Sequence, residues 1–287
     1  MKNPFNYSVK ELEQTAYKVR VDLIKALTNA GSGHSGGPLG FADVVTAVYF
    51  YGAVIDPHNP KNPDRDRIIF SAGHYSPLIY SVLSHAGYFS VDHFIADYRK
   101  LGGHLDGHPN FLTPGIENCS GPLGQGVSIA AGMASVAKLD KKIWRIWLMM
   151  SDGEQQEGQT QEALMWIGCQ KLNNIVAFLD FNNMQIDGKV DDVLCEKEWI
   201  PKNYLNYGWH IIEIDGNDME EIIKAIDETK KHHGKPVMIV AKTIPGKGVS
   251  FMEGDYTWHG KPPKDKEVQE ALRDLYKIGK KLGVEYR

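Results

Sequence analysis

The sequence predicts an α/β fold in which a mostly parallel sheet is covered by helices on both faces. The first observation is a pair of apolar runs, at 143–150 and 174–180, whose length and composition are typical of buried strands. The second is the helical spacing of the segment between them, because a strand, a crossover helix and a second strand form parallel neighbours. No linker or internal repeat divides the 287 residues, so we expect one domain spanning 1–287.

The N-terminal part predicts a helix followed by a glycine-rich loop. Ser8 and Glu11 form a capping box for a helix that runs to about residue 30, and Gly31 is its predicted stop. Gly31–Gly40 contains five glycines in ten residues. Flexible linkers rarely carry His, Pro and Leu among their glycines, so we interpret this segment as a loop that approaches a ligand.

The remaining elements follow from periodicity and from helix-start signals. Ser76-Pro77 is expected to start a helix, with Ser76 as the cap and Pro77 in the first turn. The segment 119–126 opens a helix rich in small residues, which predicts close packing either within the core or against another subunit. Further strands are predicted at 67–70, 210–214 and 236–243, and further helices at 41–51, 218–233 and 264–283.

Polar residues follow the two central strands. Asp152-Gly153 lies where the first strand ends, and Asn182 follows the second. Because parallel neighbours end at the same edge of a sheet, we expect the Asp152 carboxylate, the Asn182 amide oxygen and a nearby backbone carbonyl to face one point. These oxygen ligands suit Mg²⁺, with Ca²⁺ or Mn²⁺ as substitutes, and a diphosphate would complete the shell.

Composition excludes several classes of partner. The net charge of −4 argues against nucleic acid and anionic membranes as main partners. No apolar run is long enough to span a membrane, and the N-terminus has no signal-peptide core, so we expect a cytoplasmic location. Three cysteines without a CxxC pair indicate neither a disulfide framework nor a zinc knuckle.

Histidines supply the second functional clue. His34, His74 and His108 each follow a glycine in loops expected near the strand ends, and His259 precedes Gly260. Together they suggest a pocket that places imidazoles near an anionic ligand. A zinc site built from these histidines and Asp152 is the competing interpretation. It is disfavoured because no spacing resembles HExxH or another metal motif.

The Asp-Gly pair followed 30 residues later by Asn resembles the cofactor motif of thiamine diphosphate enzymes. The segment 152–158 is similar to the transketolase branch of that family, although Ser151 stands where the family has Gly. The similarity runs nearly end to end, with the motifs in the family's order and spacing. It implies a thiamine diphosphate-binding fold.

The resemblance also assigns roles to the substrate-facing residues. His34 would contact the substrate and the reacting centre, and His108 would hold a hydroxyl of the donor sugar. His259 would act on the sugar hydroxyls and would also contact the phosphate of the cofactor. Glu157 matches a glutamate that the family uses in a carboxylate network between two active sites.

Another set of residues would hold the cofactor and its metal. The resemblance implies that Asp152, Asn182 and the Met184 carbonyl are the metal ligands. The diphosphate and the rings would be contacted by His74, by Gly121, Pro122 and Leu123, and by Gly153 and Glu154 of the cofactor motif.

The family's pyrimidine-binding domain has no counterpart in these 287 residues. That domain carries the glutamate for the aminopyrimidine ring and the basic residues for the sugar phosphate. We therefore expect the N-terminal subunit of a split transketolase, which transfers a two-carbon ketol unit from a ketose (phosphate) to an aldose (phosphate). It should be inactive without a C-terminal subunit, in an assembly with two copies of each chain.

Two alternatives stay open at this stage. One is another thiamine diphosphate enzyme half, similar to 1-deoxyxylulose-5-phosphate synthase or to the first component of a 2-oxo acid dehydrogenase. The other is a non-catalytic cofactor-binding partner. The four histidines favour transketolase, because a decarboxylase has no need to hold sugar hydroxyls, and their presence with the metal ligands argues against lost chemistry. The sugar itself is not specified.

Overall fold

The structure, a computed structural model, describes residues 2–231 and 234–286. The strands are β1 Arg67–Phe70, β2 Ile146–Ser151, β3 Ile175–Asp180, β4 Met184–Gln185, β5 Gly188–Lys189, β6 His210–Asp215 and β7 Val237–Lys242. The helices are α1 Val9–Ala30, α2 Gly36–Gly40, α3 Ala42–Ala47, α4 Ser76–His85, α5 Val91–Asp97, α6 Gln125–Leu139, α7 Gly158–Cys169, α8 Val190–Val193, α9 Trp199–Asn206, α10 Met219–Thr229 and α11 Lys266–Lys281. Within these ranges no helix is long and apolar enough to cross a membrane.

Five parallel strands form the main sheet, in the order β1-β2-β3-β7-β6. The predicted parallel pairing of the two central strands is confirmed, with Ile146 opposite Ile175 and Ser151 opposite Asp180. The first of these strands begins at Ile146 rather than at Ile143, whose side chain is 93% exposed. Strands β4 and β5 form a separate antiparallel hairpin.

Both faces of the sheet are buried at the central strands β2, β3 and β7, which explains why these strands are continuous apolar runs in the sequence. Along β3, Val176 and Phe178 point into one core, which also contains residues of α1, α3 and α4. The alternate residues Ala177 and Leu179 point into a second core, shared with α6 and α7. The predicted arrangement of helices on both faces is therefore confirmed.

The predicted capping box and stop of α1 are confirmed, with Ser8 bonded to Glu11 and Gly31 in the left-handed region at φ 65°. The prediction of a loop over Gly31–Gly40 is wrong in its second half, where α2 forms. The glycines there serve close packing, because a Cβ on Gly37 would lie 2.6 Å from the Tyr75 hydroxyl.

Other predicted boundaries differ in ways that have local causes. Ser76 is the first helical residue of α4 and caps nothing, because its hydroxyl instead donates to the Gly107 carbonyl at 2.7 Å. Pro77 does lie in the first turn. The small residues of α6 are mostly buried within the chain, as at Ala130 and Ala134. The helix expected at 218–233 ends at Thr229, and residues 232–233 lie outside the described part.

Candidate active site

The ends of β2 and β3 bring the predicted metal-binding residues together. Asp152 directly follows β2, and its Oδ2 accepts a hydrogen bond from the Asn183 N–H at 2.5 Å. Asn182 follows β3, and its Oδ1 accepts from the Met184 N–H at 2.8 Å. The structure thus brings Asp152 and the segment 182–184 together at one edge of the sheet; their role in holding a metal remains a prediction.

The electrostatics of this edge fit a cation. Asp152 is fully buried, and burial raises the pKa of its carboxyl well above the usual range, with the nearby Asp180 adding to the rise. Backbone N–H groups of Asn183 and Gly153 oppose this shift only in part. A buried carboxylate is costly unless a positive charge lies close to it. An oxygen-rich donor set with uncompensated negative charge therefore fits a divalent ion such as Mg²⁺.

Asp180 orients the amide of Asn182, a role that the sequence analysis did not anticipate. Its carboxylate accepts from Asn182 Nδ2 at 2.7 Å, and also from the hydroxyls of Tyr75 and Thr243. Burial raises the pKa of Asp180 to about 6, and these hydrogen bonds oppose the rise. These bonds fix both ends of the Asn182 amide, its nitrogen on Asp180 and its oxygen on the Met184 N–H. The sequence signal for this role was the aspartate at the end of the otherwise apolar strand β3.

Three histidines form a cluster above this edge. The ring centroids of His34 and His74 lie 5.1 Å apart, those of His34 and His259 5.6 Å, and those of His74 and His259 5.3 Å. Buried nitrogens of all three rings (His34 Nδ1, His74 Nε2 and His259 Nδ1) have no hydrogen-bond partner. Buried polar atoms are nearly always paired, so these nitrogens indicate a site shaped for a polar ligand.

Backbone contacts explain why histidines so distant in sequence meet. The Ser35 hydroxyl bonds to the carbonyls of Trp258 and Lys261, at 3.0 and 2.7 Å, which holds the segment after His34 against the segment of His259. Gly73 approaches closely as well, because a Cβ there would lie 2.8 Å from the Gly121 nitrogen. The glycine before His74 is thus required by packing.

The histidine cluster is kept in its neutral form. Burial, together with the smaller effects of the charges of His259, Arg99 and His108, lowers the pKa of His34 to about 4. Burial also lowers the pKa of His74 well below the usual range, and that of His259 to a smaller extent. A neutral imidazole has one donor and one acceptor, so each ring can both give and take a hydrogen bond at neutral pH.

One cavity of about 460 Å³ joins these features. Its lining includes His34, His74, His108, Gly121, Leu123, Ser151, Gly153, Glu154, Gln156, Glu157, Met184, Gln185, Ile186, Asp187 and His259. Most of the residues singled out from sequence therefore share one space. Asp152 and Asn182 lie behind it and are buried, whereas Pro122 is exposed beside it and is not part of the lining.

The two glutamates of the Asp-Gly segment have different surroundings. Glu154 is fully buried, and burial raises the pKa of its carboxyl to about 7 although hydrogen bonds from Ser151 oppose the rise. Glu157 is exposed at the edge of the cavity. The exposed position leaves its carboxylate accessible to a neighbouring chain.

The β4–β5 hairpin forms a cavity wall that the sequence analysis did not identify. Gln185 and Gly188 pair across its turn, which places Ile186 at the cavity with 64% of its surface exposed. The side-chain oxygen of Gln185 accepts from Gln156 Nε2 at 2.7 Å, linking the hairpin to the turn after β2. The Asp187-Gly188 pair is a hairpin signal that could have revealed this element.

A zinc site in this cavity is not supported. Among residues 2–231 and 234–286, the histidines of the cavity and Asp152 do not supply three ligand atoms within 4.8 Å of one another. The distances suit a ligand held between the imidazoles rather than one ion bound by all of them.

Comparison with known proteins agrees with this geometry. The family model described as "Transketolase, thiamine diphosphate binding domain" matches residues 12–282. The 6-deoxy-6-sulfo-D-fructose transketolase subunit SqwG of Clostridium sp. (strain MSTE9) is 37% identical over 270 residues, covering 94% of this chain and 98% of that protein. One of the subunits of the apulose-4-phosphate transketolase of Phocaeicola vulgatus is 38% identical over 278 residues, covering 96% of this chain and 97% of that protein.

A solved structure gives the same result for the fold. The transketolase of Campylobacter jejuni superposes with a TM-score of 0.87 at 34% identity, over 97% of this chain. The chain spans 44% of the length of that transketolase, and 43% of the human transketolase, to which it is 33% identical.

Proposed function

The chain belongs to the transketolase family, as a thiamine diphosphate binding domain, and from this premise we propose that it is the N-terminal subunit of a split transketolase. With Mg²⁺ and a separate chain carrying the pyrimidine-binding domain, it transfers a two-carbon ketol unit from a ketose to an aldose. Support comes from the two relatives named as subunits, each matched over nearly its whole length. Their printed names give different sugars, so the proposal stays at the class of ketose.

The observation that carries the proposal is the set of three unpartnered imidazole nitrogens in the cavity above Asp152 and Asn182. Leaving such atoms buried and unpaired costs about 1–3 kcal/mol each, so the site is built for a polar occupant. Oxygen ligands below and neutral imidazoles above fit a ligand with a metal-bound diphosphate at one end and hydroxyl-bearing substrate at the other.

In this proposal the cofactor is held at its diphosphate end. Asp152, the Asn182 amide oxygen and the Met184 carbonyl would bind Mg²⁺, and His74 and His259 would contact the diphosphate oxygens. Gly153 and Glu154 lie beside that end, and Gly121 and Leu123 line the wall where rings would pack. When bound, thiamine diphosphate supplies the nucleophilic carbon that takes up and releases the two-carbon unit.

The chain's own contribution to the chemistry is to hold hydroxyls and protons in place. His34, His108 and His259 would hydrogen-bond the sugar hydroxyls, and a neutral imidazole can take a hydroxyl proton as the carbon–carbon bond breaks. Burial keeps His34 and His259 neutral and so able to accept it. Glu157, exposed at the edge, would join a carboxylate network with the neighbouring chains.

Recognition of the diphosphate can be tested with the chain itself. In titration calorimetry with Mg²⁺, thiamine diphosphate should bind at least about 100-fold more tightly than thiamine, because the metal and His74 contact only the diphosphate. Inorganic pyrophosphate should compete, and EDTA should remove binding. Equal affinities for thiamine and thiamine diphosphate would contradict the assignment of this chain to the diphosphate end.

The histidines should separate into two kinds of effect. His108 lies exposed at the cavity, so His108→Ala should lower kcat about 100-fold with little loss of cofactor affinity. His74 lies deeper, and His74→Ala should weaken cofactor binding more than turnover. Both are measured as kcat and cofactor Kd in the assembled enzyme, with His58→Ala, an exposed histidine outside the cavity, as control. If His108→Ala and His74→Ala change kcat and the cofactor Kd in the same proportion, the proposed division of roles is refuted.

A further inference from the structure

We infer a second metal site, for a divalent transition ion of the zinc class, formed by His93, Asp97 and His104. Asp97 Oδ2 lies 3.9 Å from His93 Nε2 and 3.8 Å from His104 Nδ1. One ligand atom from each of the three residues lies within 4.8 Å of the other two. Among the residues that the structure describes, these side chains form the one such group.

The spacing is close to that of a tetrahedral zinc site. Bonds of about 2.0–2.1 Å to nitrogen and oxygen place tetrahedral ligand atoms about 3.3 Å apart. The two measured separations from Asp97 exceed this by about 0.5 Å. Small side-chain rotations can close such a gap, because the three side chains are partly exposed.

Several contacts hold the three groups in this arrangement without a metal. His93 and Asp97 are one turn apart on α5, so both side chains lie on the same face of that helix. The His104 N–H donates to Asp97 Oδ2 at 3.2 Å. The two imidazole rings are stacked, with centroids 5.0 Å apart and 26° between their planes. Gly103 lies close beside them, because a Cβ there would lie 2.5 Å from both carboxylate oxygens of Asp97.

The ligand set selects the class of ion. Two imidazoles and one carboxylate favour Zn²⁺ and its neighbours over Mg²⁺, which prefers oxygen ligands alone. The side chains of His93, Asp97 and His104 are 40%, 23% and 43% exposed, so an ion can enter from solvent and keep a water as its fourth ligand. The site differs from the cavity in both location and chemistry, and it does not depend on the proposed function.

The bound ion would connect α5 to the segment that leads to the cavity. His104 is four residues before His108, and its carbonyl accepts a hydrogen bond from the Thr113 hydroxyl at 2.8 Å. A metal joining Asp97 and His104 would therefore restrain this segment at its start. Because the ion would bind the folded chain and not the unfolded chain, we expect it to stabilise the fold.

The test is titration of the tag-free, chelator-treated chain with Zn²⁺, with Co²⁺ absorption as a second probe of a tetrahedral site. Wild type should bind Zn²⁺ at this site with a Kd at or below the micromolar range. In His93→Gln and in His104→Gln, the affinity for the one Zn²⁺ ion bound at this site should fall about 30-fold or more, because a strong ligand is lost. His58→Gln, which alters another exposed histidine, should leave binding unchanged.

Thermal unfolding completes the test. Excess Zn²⁺ should raise the Tm of wild type and of His58→Gln by several degrees, and raise the Tm of the two site variants much less. Without metal all four proteins should unfold at similar temperatures, which shows that the variants fold. Unchanged Zn²⁺ affinity in both site variants, or no binding to wild type at about 1 mM Zn²⁺, would overturn the inference.

Discussion

Replacing Asp152 with alanine should abolish Mg²⁺-dependent binding of thiamine diphosphate, with a fall in affinity of about 1,000-fold or more. In our proposal this residue supplies the charged ligand, and the remaining ligands are an amide and a backbone carbonyl. Neutral oxygens bind Mg²⁺ weakly when no carboxylate is present. Without the bound Mg²⁺, the negatively charged diphosphate would lose the cation that holds it.

The same substitution should leave the fold intact. Burial raises the pKa of the Asp152 carboxyl above its unfolded value, so its ionisation in the folded chain costs stability at neutral pH. That cost is absent at pH values below the unfolded pKa, where the carboxyl is protonated in both states. Removing the carboxyl removes the cost, which offsets its lost hydrogen bonds to Asn183 and Gly153.

Calorimetry at saturating Mg²⁺ measures the effect of Asp152→Ala, with the Tm as a check on folding. Asp192→Ala is the matched control, because Asp192 is an exposed aspartate outside the cavity. Wild-type affinity in Asp152→Ala, or an equal loss in Asp192→Ala, would rule out the metal assignment.

Much of the sheet edge could be predicted from sequence because it depends on local rules. Two apolar runs joined by a helix give parallel neighbours, and their carboxyl ends must then meet. The contact of Asp152 with the segment 182–184 follows from that topology. The carboxylate and amide side chains at these positions were enough to predict a cation site.

The rest depends on tertiary contacts that no local pattern encodes. The bonds of Ser35 to Trp258 and Lys261 hold the segments of His34 and His259 together, and the shared pocket was predicted from the glycine-histidine pairs but these contacts were not. Glycine content shows that the backbone can adopt unusual conformations, but not that it does, so α2 was predicted to be part of a loop.

Two polar groups were missed for similar reasons. Asp180 ends an apolar strand, and its sequence position gave no indication of its three partners. His93, Asp97 and His104 lie in a short helix and turn that the sequence analysis left unassigned. Their spacing matches no standard metal motif.

We also expect this chain to show no ketol transfer when purified alone, even at saturating thiamine diphosphate and Mg²⁺. The cofactor requires a carboxylate at its aminopyrimidine ring, and general acid–base assistance of this kind contributes about 10²–10⁴-fold. We expect that Glu154 cannot serve, because its Oε2 accepts from the Ser151 N–H at 3.2 Å, beside the proposed diphosphate end of the site. Glu157 lies at the edge of the cavity beside the same segment.

A partner chain should supply what is missing. A pyrimidine-binding chain of roughly 300 residues would add the carboxylate, the phosphate-binding basic residues and a cover that excludes water. Since closed two-fold symmetry is the commonest form of assembly, we expect two copies of each chain. Light scattering of the mixture would measure this stoichiometry.

The most direct test of the split-enzyme proposal is ketol transfer between a ketose phosphate and an aldose phosphate, assayed with each chain alone and with both mixed. The proposal predicts no activity above background for either chain and a gain of at least about 1,000-fold on mixing. Full turnover by this chain alone would contradict it.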